Sequence, residues 1–209
     1  LTQLRHGEKV LMMKRVLIIL IFTFSFQLLS KADDIRDFQI EGISLGDNLT
    51  EYFTEKEILS LKNSYPDKGY IYNSKKFYSI TFRNHANLEI YENIQFILKD
   101  NDKKFKIFGI TGVIEYLKNI NQSYKDLSII EADLDEIFIN ANKNPRLRRA
   151  ASADKTGKST IESIAYFINK DVIVASCADW SEDINIADAL RVSINSHSYN
   201  IFLRDEAYN

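Results

Sequence analysis

The sequence predicts an α+β fold: a single domain with a mainly antiparallel β-sheet, packed by one long helix and preceded by short N-terminal helices. Three observations carry that reading. Apolar residues alternate with polar ones in the middle of the chain and β-rich runs return towards its end, one apolar stripe of helical period separates the two regions, and the strands come in runs rather than in strict alternation with helices.

The first 32 residues stand apart from that domain. Lys14 and Arg15 precede an apolar stretch, Val16 to Leu29, that only Thr23, Ser25 and Gln27 dilute. It is short of the ~20 apolar residues that cross a bilayer and fits the apolar region of a signal peptide, with an uncleaved N-terminal anchor as the alternative. Ser30-Lys31-Ala32 offers small residues where a signal peptidase reads, and Asp33-Asp34 starts an abruptly polar chain, so cleavage is expected after Ala32. No cysteine precedes that cut, which disfavours a lipoprotein. Residues 1–11, with His6 and Glu8, read as upstream sequence before a start at Met12 or Met13. The expectation is a soluble domain, residues 33–209, that is periplasmic or secreted and not stably inserted in a membrane once the leader is removed.

Residues 33–209 hold 22 Lys/Arg against 28 Asp/Glu, a net of −6, in a length that suits one domain with a real core. An acidic surface argues against nucleic acid as the main partner, because phosphate neutralisation needs a broad basic footprint. The lone Cys177 leaves no intrachain disulfide.

Phe38 to Asp47 reads as extended chain ending in a glycine turn, with Asp47 or Asn48 placed to cap the helical segment after it. Leu49, Tyr52 and Phe53 then fall at helical spacing. Thr54 and Glu57 form a capping-box pattern in front of a short helix whose apolar side is Ile58, Leu59 and Leu61, and Pro66 closes the region. From residue 70 to 115 the period is two: Tyr78, Ile80 and Phe82 form one apolar set, and Ile94, Phe96 and Leu98 another. Asp100-Asn101-Asp102 between β-rich runs 91–98 and 104–115 predicts a hairpin. A helix is expected over 121–140, its stripe of Leu127, Ile130, Leu134, Ile137 and Phe138 covering the sheet. Residues 141–159 lack periodicity and read as a loop. Strands follow at 160–169 and 172–178, parted by Lys170-Asp171. A third runs from Leu190 to Asn195, and Tyr199, Ile201, Phe202 and Leu203 suggest a terminal helix.

Chemistry-bearing patterns are sparse. Thr156-Gly157-Lys158-Ser159-Thr160 resembles the end of a phosphate-binding P-loop, but Ser152 stands where the first glycine belongs and a basic loop precedes it instead of a strand. Asp179-Trp180-Ser181-Glu182-Asp183 has alternate oxygen ligands as in a calcium loop, yet Ile184 and Leu190 occupy the positions of the required glycine and glutamate; a solvated acidic turn fits better. Cys177 at the end of Val172 to Ser176 reads as a buried strand thiol, and as a nucleophile only if His85 or His197 approaches it. No spacing calls for a metal site or a cofactor.

The basic segment is the feature that points towards function. Lys143, Arg146, Arg148, Arg149, Lys155 and Lys158 gather in residues 141–159 against the lone acid Asp154. Arg146, Arg148, Arg149, Lys155 and Lys158 are therefore candidates for binding an anionic small molecule or envelope component, since guanidinium forks suit carboxylates and phosphates. The competing reading pairs them with the acidic helix 121–140. The functional expectation is a non-catalytic binding protein, with a cysteine-dependent hydrolase using Cys177 and His85 or His197 as the alternative.

Phe38 to Asp47, Ala153 to Ser159, Cys177 to Ser181 and Glu206-Ala207-Tyr208 together give a chain that resembles a family of small, uncharacterised exported proteins of marine bacteria. The resemblance covers most of the domain. It implies an exported single domain and brings no activity, ligand or catalytic residue with it. It also implies a cysteine shortly before the long helix in other members, where this chain has Ser123, so a bridge to Cys177 that they could form is absent here.

Overall fold

The computed structural model describes residues 34–65, 69–70, 72–117 and 119–207. The segment expected to be a leader, with its expected cleavage site, and Pro66 lie outside the described residues. Seven strands, β1 (Phe77–Arg83), β2 (Asn93–Lys99), β3 (Ile107–Glu115), β4 (Asn142–Ala150), β5 (Thr160–Ile168), β6 (Asp171–Asp179) and β7 (Ala189–Asn195), form one sheet in the order β1-β2-β3-β7-β6-β5-β4. Every neighbouring pair is antiparallel. Three helices accompany it: α1 (Glu55–Ser64), α2 (Ile120–Ile137) and α3 (His197–Asp205). The fold is a single α+β domain, and none of its described helices is long and apolar enough to cross a membrane.

Strand alternation divides the side chains between two faces. Ile80, Phe96, Ile110, Ile194, Ile173 and Tyr166 lie in register on one face and are all buried. This is the helix face. Leu127, Leu134 and Phe138 of the expected stripe are buried in the same core, with Ile130 and Ile137 packed beside them. α1 covers the β1 end: its capping box is complete, Thr54 Oγ1 accepting from Glu57 N while Glu57 accepts from Thr54 N. Phe53 stacks on Phe82 with ring centroids 3.8 Å apart.

On the opposite face, two clusters stand at the two ends of the strands. Tyr199 and Phe202 of α3 pack on Phe77 and Ile97 at one end, and Trp180 with Ala151 packs on Ala178 at the other. Between them the sheet is open.

Several local expectations shift. The segment that Leu49, Tyr52 and Phe53 suggested as helical is a single 3-10 turn, Leu49–Glu51, with Tyr52 as its C-cap and Phe53 beyond it. The β5–β6 turn is centred on Asn169 and Lys170, whose φ of 50° and 81° give the doubly left-handed backbone of a tight hairpin, one residue earlier than Lys170-Asp171. The largest change concerns 141–159. Residues 142–150 are an edge strand and only 151–159 form a turn. Its apolar period is missing because the helix face of β4 is covered by ion pairs, while its one aliphatic residue before Ala150, Leu147, is 60% exposed. Pro145 is accommodated at the register shift between Asn144 and Leu147, where no ladder donor is required.

Candidate functional site

Strand β4 sends Lys143, Arg146 and Arg148 to the helix face, where each meets carboxylates. Lys143 Nζ lies 2.9 Å from Glu131 Oε1 and 2.8 Å from Asp135 Oδ2. Arg146 bridges two elements, donating to Glu131 Oε2 of α2 at 2.5 Å and to Glu162 Oε1 of β5 at 3.1 Å. Arg148 donates to Glu162 Oε2 at 2.9 Å and covers the Tyr124 ring. Burial works to raise the Glu131 pKa, but hydrogen bonds from Lys143 and Arg146 outweigh it and hold the carboxyl below its ordinary value. Burial likewise works to lower Arg146 and Lys143, and the hydrogen bonds to their carboxylates raise both. Lys158 pairs with Asp183 at 2.5 Å in the acidic turn. Arg149 and Lys155 make no ion pair among the described residues. A lysine, three arginines, a proline and a bulge on an edge strand also block edge-to-edge pairing with another sheet, a structural reason for the basic run.

The P-loop-like segment has no helix behind it, since β5 follows directly. Its donors are aimed at the chain's own carboxylate: Asp154 accepts from Thr156 N at 2.8 Å, Thr156 Oγ1 at 2.7 Å, Ser159 N at 2.9 Å and Ser159 Oγ at 2.6 Å. Hydrogen bonds from Ser159 and then Thr156 hold the Asp154 carboxyl far below the carboxylate range. In the acidic segment, Glu182 and Asp183 are exposed in a turn and Trp180 is buried. No group of three or more acidic, histidine or cysteine side chains is placed to hold a metal among the described residues.

Cys177 is fully buried and accepts a hydrogen bond from Ser123 Oγ at 2.7 Å. Burial pushes its thiol pKa up to about 11. Neither histidine approaches it. His197 N donates to Asp171 Oδ1, six residues along β6 and so about 20 Å from Cys177. His85 packs on Phe53 and Phe82 at β1, four strands away from β6, or about 19 Å. Iodoacetamide at pH 8 is therefore expected to leave Cys177 unmodified in the folded protein and to modify it in urea. Mass spectrometry on the two samples decides it, and rapid labelling of the folded chain would contradict the placement of the thiol.

A groove of about 500 Å³ runs beside α1, lined by Thr54, Lys56, Glu57, Leu61, Arg83 and His85 among others. His85 Nε2 lies 3.5 Å from Glu57 Oε1, but Glu57 is already committed to the cap of α1.

The open sheet face offers a different arrangement. Thr81, Gln95, Thr111, Ser193, Val174 and Ala165 form one row across six strands, all partly accessible. Arg83, Asn93, Val113, Arg191, Ser176 and Ser163 form the next. Neither row contains an Asp or Glu, though Glu115 of the adjacent row accepts from Asn93 Nδ2 at 3.1 Å. Thr111 and Ser193 hydroxyls lie 2.9 Å apart at the centre. Arg191 stands beside them on the middle strand, exposed at its outer side and without an ion pair among the described residues. Shielding by the surrounding sheet alone draws its pKa below the ordinary guanidinium value. Arg149 points to the same face at the β4 edge, in register with Ile161. Sequence reading passed over Arg191, although the alternation of Leu190, Val192 and Ile194 with Arg191 and Ser193 is the signal that places the latter two on the open face. No family model matches the chain, and no curated protein and no solved structure matches it.

Proposed function

We propose that this chain is an exported, non-catalytic binding protein that takes an anionic ligand on the open face of its sheet, at Arg191. The observation that carries the reading is a guanidinium without an ion pair among the described residues, in the centre of a strip of two polar rows that hold no Asp or Glu, with Glu115 of the next row turned to Asn93, on a domain whose net charge is −6. Most of the basic groups on the edge strand already face carboxylates of α2 and β5. Arg149 and Lys155 are the two of the candidate set left free to assist. Export rests on the charged, apolar and small-residue pattern of residues 14–34. The hydrolase alternative has no support, because Cys177 meets neither histidine.

Thermal melting tests the reading. With chloride added to hold ionic strength equal, sulfate, phosphate or citrate should raise the Tm of the wild-type domain and leave that of Arg191→Gln unchanged. A ligand at ten times its Kd contributes about 1.4 kcal/mol, which for a chain of this size is a rise of about 3–5 °C. The variant removes an exposed side chain and should melt at the wild-type temperature without anion. Equal shifts in both proteins would refute the site.

A further inference from the structure

We infer that the ligand of this strip is an extended acidic polysaccharide lying across the strands. The inference rests on the anion-binding reading above and adds the size and chemical class of the ligand. The strip crosses six strands, about 24 Å at the usual strand spacing. Arg83 on β1 and Arg191 on β7 stand in one row, three strands or about 14 Å apart, while Arg149 on β4 lies one row further along, in register with Ile161, Ala178, Ala189 and Glu115. A single small anion would use one of the two cations in the row and leave the other idle. An elongated polyanion meets both.

The groups beside the cations decide the class of polymer. Gln95, Thr111, Ser193, Ser176 and Ser163 both donate and accept hydrogen bonds, which suits a chain of hydroxyls and ring oxygens. Peptides are gripped by adding a strand to a sheet edge or by apolar pockets for their side chains, and a sheet face between two paired neighbours provides neither. Single-stranded nucleic acid needs aromatic side chains for its bases to stack on, and both rows lack them. A second copy of this chain would bring Arg191 against Arg191 across a symmetric contact, so like charges oppose self-association there. Charge and hydrogen-bonding capacity together fit a carboxylate- or sulfate-bearing glycan.

Titration calorimetry with the full domain tests this with four probes at low salt: polygalacturonate, monomeric galacturonate, neutral dextran and poly-glutamate. Polygalacturonate should bind, and galacturonate and poly-glutamate more weakly by about tenfold or more, the worth of one charge-assisted hydrogen bond. Dextran should not bind. Arg191→Gln should weaken the polymer by about the same factor, and Ser193→Glu, which sets a charge of the wrong sign in the strip, should abolish it; melting curves establish that both fold. Arg148→Ala, on the other face of the sheet, should bind as wild type. Equal affinity for galacturonate and polymer, or equal affinity for poly-glutamate, overturns the polysaccharide while the anion site stands. Failure of polygalacturonate in a protein that phosphate still stabilises through Arg191 does the same. If neither polymer nor simple anion responds to Arg191→Gln, both readings fall together.

Discussion

Replacing Arg146 by alanine is expected to lower the unfolding free energy by about 2–3 kcal/mol. That lies between the ~0–1 kcal/mol of an exposed ion pair and the ~3–5 kcal/mol lost when one partner of a buried pair is removed. The intermediate place reflects exposure: the Glu131 side chain is 23% exposed, Glu162 13% and Arg146 itself 28%. Arg146 is the cation that ties α2 to β5, so its loss leaves Glu131 to Lys143 alone and Glu162 to Arg148 alone. Arg149→Ala, on the opposite face and without an ion pair, should change stability by less than about 0.5 kcal/mol. The pH dependence has a definite sign. Because the folded state lowers the Glu131 pKa, the carboxylate's contribution is complete above the ordinary carboxylate range and is lost as pH falls through the lower folded value. The gap between wild type and Arg146→Ala should therefore narrow on acidification from pH 7 to pH 3. Urea unfolding at the two pH values measures it. Equal losses for Arg146→Ala and Arg149→Ala would show that the bridge contributes nothing, and a gap that stays constant down to pH 3 would show that it does not act through the Glu131 carboxylate.

Where a side chain buries itself in apolar surroundings, the sequence announces it. Leu127, Leu134 and Phe138 repeat at helical spacing because each must reach the same core, and Tyr78, Ile80 and Phe82 alternate, or nearly so, because β1 has one face to cover. The turns are equally readable where a residue is chosen for its backbone, as with Asn101 at φ 62°. Strand β4 escapes this logic. An edge strand that pairs with β5 through its backbone and with α2 through salt bridges needs no apolar period, and Asn144-Pro145 argues locally for a loop. The basic candidates were visible as a cluster, but which carboxylates they meet depends on how α2 crosses the sheet, and no local pattern encodes that. Arg191 was hidden for the reverse reason. A lone arginine in an apolar strand looks like an ordinary solvent-facing residue until the register of β3, β7 and β6 sets hydroxyls around it, with Glu115 of the neighbouring row bonded to Asn93 instead.

Changing Ser123 to cysteine is expected to create a disulfide with Cys177 that stabilises the domain by up to about 4 kcal/mol, the loop-entropy value for a closed loop of this length. Ser123 sits on the first turn of α2 with its Oγ 2.7 Å from the Cys177 sulfur. A bridge needs sulfur atoms about 2.0 Å apart, so the side chains already converge on the right spot and little backbone movement is required. The bond would fasten α2 to the middle of the sheet, with most of the benefit coming from a denatured chain that can no longer separate residues 123 and 177. Both positions are fully buried, so the reduced variant must fit a larger atom where the hydroxyl was, and it should be less stable than wild type by about 1 kcal/mol. The prediction thus has two opposite signs in one protein, selected by reductant. Urea midpoints with and without dithiothreitol, together with a count of free thiols, read them out. Two free thiols after air oxidation, or an oxidised form no more stable than the reduced one, would mean that α2 does not hold Ser123 against Cys177.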